Sequence, residues 1–207
     1  MYFHSMSVRT LKSEKGLPYF CTITNKSWIP LFEMCQFHDA IYRWFELLKS
    51  NGNDVLAYVI MPNHLHWILH VDHEGQSLDR LIGEAKRLMS YSLVTRLKKS
   101  GRTETLDTLA EMVSSYERSK GIKHKLFEDS FDGKAIYTDK FLEQKLIYIH
   151  ENPWRKEMVR KPEEYQHSSA RFYKTGIHAG YAVTHYVEKY YGKEEYEFNR
   201  KFWWGAQ

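Results

Sequence analysis

Residues Tyr58 to Val71 read YVIMPNHLHWILHV, two apolar runs broken by Met61-Pro62-Asn63, with His64 and His66 one residue apart. If the second run is a β-strand, successive side chains alternate between faces, so His64, His66 and His70 share one face and Leu65, Trp67, Leu69 and Val71 the other. One face then anchors the strand in a core. The opposite face presents two imidazoles about 7 Å apart at Cα, a spacing from which both could hold a divalent ion with a third ligand from elsewhere. In a chain with eleven His the bare pair is close to a chance event, and a half-buried strand that happens to carry His on its outer side explains it equally well. The parity, not the spacing, gives the motif its weight.

Working outward, Asp54 to Met61 reads as the partner strand of His64 to Val71, with Pro62-Asn63 as the turn. Upstream, Pro18 to Thr24 (PYFCTIT) is rich in aromatic and β-branched residues and is expected to be the first strand. Between them Met34, Phe37, Ile41, Trp44, Phe45 and Leu48 recur at helical spacing over about 33 to 49, and Asn51-Gly52-Asn53 supplies a stop. Downstream, Ser77 as N-cap begins a long helix to about Lys99 with Leu78, Leu81, Ile82, Ala85, Leu88, Met89, Leu93 and Leu97 as its buried stripe. Residues 103 to 120 look like a short acidic helix inserted in the fold. Lys125 to Thr138 gives a loop containing Phe127, Phe131 and Gly133, then a fourth strand at Ala135-Ile136-Tyr137. Asp139 is the expected N-cap of a helix from Lys140 to about Asn152, ended by Pro153.

Strand, helix, strand, strand, long helix, strand, helix is the order of an α+β, ferredoxin-like β-α-β-β-α-β core. It has an antiparallel sheet with helices packed on one face, plus a late helix, and RNA-recognition domains use the same arrangement. We expect residues 1–175 to form one domain. The aromatic-rich stretch 176–207 is too apolar for a free tail and should pack back on it.

Composition narrows the function classes. The chain has 207 residues, 43% of them hydrophobic, and a net charge of +4. No apolar run reaches the ~18 residues that span a bilayer, and the first residues lack the apolar stretch of a secretory signal. A cytoplasmic protein with no membrane partner, and with Cys21 and Cys35 as free thiols, is the expectation. Charge is uneven: between Ser77 and Arg102, seven cations (Arg80, Lys86, Arg87, Arg96, Lys98, Lys99, Arg102) stand against Asp79 and Glu84. A basic helix face suits a phosphate backbone, and equally a solvated surface. A second basic stretch begins at Arg155 and Lys156.

The late helix carries a further constellation. In KFLEQKLIYIHENP, Gln144, Tyr148 and Asn152 follow one another at i, i+4 and share one face, beside a core stripe of Leu142, Leu146 and Ile149. Fifteen Tyr in the chain make any single one an ordinary packing residue by default.

Taken together, PNHLHWIL, the basic helix and YIHENPWRKEMVRKPEEYQHSS resemble the single-tyrosine HUH transposases, most closely their REP-associated branch. In that family two His flank a large apolar residue, as in His64-Leu65-His66, and a Tyr-x-x-x-Asn motif lies on a late helix, as in Tyr148 to Asn152. The resemblance spans about Pro18 to Tyr173. Trp154 stands where a smaller aliphatic residue is expected, and the 103 to 120 segment and the tail after Gly176 have no counterpart.

The resemblance implies an enzyme that nicks and rejoins hairpin-forming single-stranded DNA. Tyr148 would attack a backbone phosphate and form a 5′-phosphotyrosine. His64, His66 and, by carry-over, Asn152 would hold Mg²⁺ or Mn²⁺, the latter more readily because two ligands are nitrogens. Arg80, Lys86, Arg87, Arg96, Lys98, Lys99, Arg155 and Lys156 are the candidate DNA contacts of a monomer or homodimer. An ordinary phenol is protonated at neutral pH, and no general base is evident beyond the nearby Gln144 and His150. The competing reading is a non-catalytic ferredoxin-like protein that binds single-stranded or structured nucleic acid. A weaker third is a metal-dependent nuclease using water. All three require one geometry to be settled first, namely whether the His face meets the Tyr148/Asn152 face.

Overall fold

The computed structural model of the chain describes residue 14 and residues 16–72, 78–129 and 132–204, with side chains throughout except at 132 and 200–204. The expected Ser77 cap and Phe131 fall outside the described residues.

Strand β1 (Pro18–Thr24) leads through a 3₁₀ turn into helix α1 (Leu31–Met34) and helix α2 (His38–Ser50). Strands β2 (Asn53–Ile60) and β3 (His64–Val71) form the hairpin, and helix α3 (Leu78–Lys99) follows. Helices α4 (Thr103–Glu111) and α5 (Ser115–Ser119) come next, then strand β4 (Asp132–Ala135) and helix α6 (Asp139–Arg155). Helices α7 (Ala170–Thr175), α8 (Tyr186–Tyr191) and α9 (Lys193–Trp204) complete the described chain.

The four strands pair antiparallel in the order β2-β3-β1-β4, as the α+β ferredoxin-like arrangement requires. Parity sorts the two faces. Tyr19, Cys21, Ile23, Leu65, Trp67, Leu69 and Val71 enter one core with Ile41, Trp44, Phe45 and Leu48 of α2 and with Leu78, Ile82, Ala85, Met89, Leu93 and Leu97 of α3. Phe20, Ala57, Val59 and Ile68 enter a second core with Leu142, Leu146 and Ile149 of α6. Helices therefore cover both faces of the sheet and not one as expected, because the apolar stripe of α6 packs on the face that α2 and α3 leave open, and every residue of β3 is buried. A bulge in β2 between Val55 and Ala57 makes Leu56 an extra residue, so Val55 and Tyr58 share the α2 side while Leu56, Ala57 and Val59 share the α6 side.

Several boundaries differ from the sequence reading, each for a local reason. The helix expected from about 33 is interrupted by Gln36 at φ 48, so a four-residue turn precedes α2. The 103 to 120 segment is two helices because Ser114 and Glu117 form a reciprocal capping box. β4 lies at 132–135, upstream of the expected Ala135-Ile136-Tyr137, paired only to β1 at the sheet edge. Thr138, not Asp139, caps α6, its side chain accepting the Phe141 N–H. α6 also runs through Pro153 to Arg155. A proline so near the helix end forfeits one ladder bond, and burial of Asn152 and Pro153 keeps the last turn in place.

Beyond Gly176 the chain folds back on the domain. Gly180 lies against the hydroxyls of Tyr42 and Tyr58, leaving no space there for a Cβ, and the Tyr181 N–H donates to Tyr58 Oη at 2.8 Å. Lys189 pairs with Asp54 at 2.7 Å, and Tyr190 Oη lies 2.8 Å from His70 Nδ1. His185 is 2% exposed among Tyr173, Tyr186 and Tyr196, and its Nδ1 accepts the Val187 N–H at 3.2 Å.

Burial pushes the His185 imidazole down to about 4. An unfolded chain takes that proton near pH 6.5 while the folded one resists until about 4, so stability is full above 6.5 and declines as pH falls through this window. This single group should withdraw on the order of 3 kcal/mol between the two limits. Urea unfolding from pH 7 to pH 4 should show the decline, and His185→Gln should reduce its slope without removing it, since His64, His66, His150 and His167 are also held below the usual range by burial; an equal slope in both proteins would assign the acid lability to those groups.

Candidate active site

The register of β1 on β3 sets Thr22 opposite His66 and Thr24 opposite His64, on the face that α6 covers. Both imidazoles are buried, His64 at 5% and His66 at 6% exposure. Asn63 fixes the first: its Nδ2 donates to the Trp28 carbonyl at 3.1 Å, so its Oδ1 is the acceptor 2.7 Å from His64 Nδ1. His64 must then carry its proton on Nδ1 and keep the Nε2 lone pair. His66 Nδ1 lies 2.8 Å from Thr22 Oγ1, and donation to that hydroxyl likewise leaves Nε2 as an acceptor. Outer partners of this kind orient and tune metal-binding imidazoles.

The helix delivers the rest. Tyr148 Oη lies 3.5 Å from His66 Nε2, a long contact. Its ring stands edge-on to His66 and to Phe20, centroids 5.1 and 5.9 Å apart. One turn further, Asn152 is buried within hydrogen-bonding reach of a protonated His64. With His64 neutral, Asn152 Oδ1 has no hydrogen-bond partner among the described residues. A buried orphan acceptor beside a lone-pair nitrogen is costly unless a cation or donor sits between them. The donor set therefore fits a divalent ion. Among the described residues no group of three His, Cys, Asp or Glu could hold one, so an ion here would rest on two imidazoles and an amide.

Electrostatics agree with that use. Burial, then the nearby Lys156, pushes His64 down to about 4, against the pull of Asn152. Burial, then His64 and Lys145, pushes His66 down to about 3. Both rings are neutral at neutral pH, the state that can ligate a metal.

The structure thus brings His64, His66, Tyr148 and Asn152 together, meeting the geometric condition set by the sequence. It separates them from the basic helix, since α3 packs on the opposite face of the sheet. Arg96 is committed to the fold: it chelates Asp39 at 2.8 Å, donates to the Cys35 and Gln36 carbonyls, and covers the Phe37 ring. Arg80 pairs with Glu84 and Arg155 with Glu151. Lys86 donates to the Glu128 carbonyl at 2.8 Å. Arg87, Lys98 and Lys99 are exposed along α3, and Lys156 caps α6 beside His64. His70 shares the His face but is held at its far end by Tyr190 and Asp72.

Four neighbours escaped the sequence reading. Thr22 and Asn63 orient the imidazoles, and Lys145 lies 4.6 Å from the Phe20 ring centroid and 5.6 Å from that of Tyr148. Trp28 stands edge-on to His64 with centroids 5.5 Å apart. Asn63, adjacent to His64 in sequence, was the one within reach. Ser27 and Trp28 both have positive φ, 51° and 60°, strain of about 1–3 kcal/mol each that must be met by surrounding contacts.

For a Mn²⁺ ion held by this donor set, Thr22→Val should weaken binding by roughly 10- to 100-fold in a calorimetric titration, since His66 loses its outer partner. Unchanged affinity would exclude Thr22 from that role.

The fold and these four side chains define the class: an α+β domain with a paired-histidine strand facing a tyrosine helix. No family model and no curated protein matches the chain. Among solved structures the chain is similar to a REP-associated tyrosine transposase bound to a REP hairpin, with a TM-score of 0.52, 18% identity, and coverage of 86% of this chain and 93% of that one. At this identity the likeness describes the fold. A provisionally assigned transposase from Deinococcus radiodurans R1 is 15% identical over 72% of this chain and 95% of its own, with a TM-score of 0.31. Among the described residues no helix is long and apolar enough to cross a membrane.

Proposed function

We propose that the chain is an HUH-type enzyme that cleaves and rejoins single-stranded DNA beside a hairpin, with Tyr148 as nucleophile. The observation that carries this reading is the approach of Tyr148 Oη to His66 Nε2, 3.5 Å, next to the orphaned Asn152 Oδ1. The shared fold with a transposase bound to a REP hairpin supports hairpin DNA as the substrate class.

In the proposed step Tyr148 Oη attacks a backbone phosphorus, a Tyr–O–P bond forms, and the P–O3′ bond breaks. The phenolic proton passes to solvent, and the leaving oxygen takes up a proton as a free 3′-OH. The phosphodiester energy stays in the covalent link, so a 3′-OH can reverse the step. His64, His66 and Asn152 would hold Mn²⁺ or Mg²⁺, which when bound supplies Lewis-acid polarisation of the phosphate and offsets charge in the transition state. By accepting from the two Nδ1 atoms, Thr22 and Asn63 would leave both Nε2 lone pairs available to the ion. Phe20 and His66 hold the Tyr148 ring by edge contacts, and Tyr148 remains 41% exposed, open to a strand arriving from solvent.

The test is a denaturing gel of protein incubated with Mn²⁺ and hairpin oligonucleotides carrying single-stranded flanks. A DNA-linked protein band is expected; its absence with every hairpin tried, despite binding, would favour the non-catalytic nucleic-acid binder.

A further inference from the structure

Residues 117–129 run opposite the outer side of α3 across a groove of about 830 Å³. Arg87, Tyr91, Val94 and Lys98 line it at helical spacing, a stripe about 17 Å long at 1.5 Å per residue. That is the length of roughly five nucleotides of one strand at 3.4 Å each. Lys120 and Lys123 line the other wall. The groove's carboxylates are already engaged, Glu117 and Asp129 by Lys125 and Glu128 by Lys26. Six cations (Lys86, Arg87, Lys98, Lys120, Lys123 and Lys125) line the groove against those three carboxylates, an excess of three positive charges. Among the lining residues one exposed ring stands with these cations, Tyr91, with Arg87 over it at 5.9 Å; Tyr116, just outside the lining, has Lys120 over it at 5.5 Å. An excess of cations with an exposed aromatic ring along an extended groove is the chemistry of nucleic-acid backbone binding.

Although α3 packs on the other face of the sheet, one residue of the groove wall ties the groove to the rim of the candidate active site. Glu128, in its wall, accepts the Ser27 N–H through Oε1 at 2.9 Å, and its own N–H donates to the Thr24 carbonyl at 2.9 Å. These bonds, with Asn63 on the Trp28 carbonyl, hold the strained 26–28 turn. Trp28 is 60% exposed, and its indole stands beside His64. An indole this exposed has apolar surface to offer a base and little reason of packing to be held there.

We propose that this groove is a second DNA site, a cationic track for the backbone of the hairpin's flanking strand that ends at Trp28, whose indole stacks the base next to the scissile phosphate. The proposal rests on the strand-cleavage reading for its substrate, but binding can be measured without chemistry.

Full-length protein with Tyr148→Phe would be titrated with a labelled DNA hairpin bearing a single-stranded flank, and with the same hairpin blunt, from 50 to 200 mM salt. Combining Lys98→Glu, Lys120→Glu and Lys123→Glu should weaken binding of the flanked hairpin at least about tenfold. It should also lower the slope of log Kd against log salt by about 2. Trp28→Ala should weaken the flanked hairpin about tenfold and spare the blunt one, and Trp28→Phe should recover most of the loss. All three lysines are exposed; if the triple reversal fails to melt like its parent, Lys→Gln at the same positions is the replacement. Unchanged affinity and slope would overturn the track, and equal losses on flanked and blunt hairpins would overturn the stacking role. Tighter binding of single-stranded RNA of the flank sequence would overturn DNA as the ligand. If these binding effects appear while Tyr148-bearing protein forms no adduct, the catalytic reading has failed and the groove stands.

Discussion

Tyr148→Phe should abolish the covalent DNA adduct and leave hairpin affinity within about twofold of the parent. The substitution removes one oxygen and nothing else of consequence. The Phe ring can keep the edge contacts to Phe20 and His66, and the lost hydroxyl makes only a long contact to His66 in a residue 41% exposed. A surface-type change of this kind shifts stability by about 0.5 kcal/mol or less, so the loss of adduct could not be blamed on unfolding. Continued cleavage without an adduct would instead assign the chemistry to water, with the tyrosine as a bystander.

His66→Ala should eliminate stoichiometric Mn²⁺ binding and reduce cleavage at least about 10²- to 10³-fold, the range for loss of a main electrostatic contributor to a transition state. Here a structural cost must be separated from a chemical one. The ring is 6% exposed, stacked on Phe20 and bonded to Thr22, so its removal leaves a cavity and a hydroxyl without its partner, costing about 1–3 kcal/mol. Asn152→Asp supplies the control, because it keeps the buried side chain's shape and an oxygen ligand while changing the one group whose oxygen has no partner among the described residues, and Asn152→Ala deletes that oxygen. Both alanine variants should lose the calorimetric Mn²⁺ signal, and both should still bind DNA. Retention of a one-to-one Mn²⁺ site in the two alanine variants would remove the proposed ligand set.

The contrast between those residues measures how much was legible beforehand. β1 and β3 were plain because alternation is a local property, and the His face followed from it without any partner being known. α6 was readable as a helix with a Tyr148/Asn152 face because i, i+4 spacing is also local. What failed was what depends on neighbours. β4 reads DGKA, with a glycine inside it, and exists only because the edge of β1 offers backbone groups to pair. Thr22 orients His66 through a cross-strand register, and Lys145 comes near through the rotation of α6 on the sheet; neither quantity is written in a single segment. The basic character of α3 was legible, but not the layer it occupies. Nor was it legible that Arg96 is spent on Asp39 while Lys120 and Lys123, in a segment read as an acidic insertion and the loop after it, face the same groove.

Leu142, Leu146 and Ile149 of α6 are almost fully buried against the sheet of their own chain. At about 1.5–3 kcal/mol for each such side chain, this helix is not a hinged arm. Both halves of the proposed chemistry therefore travel in a single polypeptide, and in the proposed reaction a captured 5′ end would be tethered to a fixed wall. Exchange of strand ends would then be a movement of DNA across a stationary protein, paced by how readily the 3′ end departs and another takes its place.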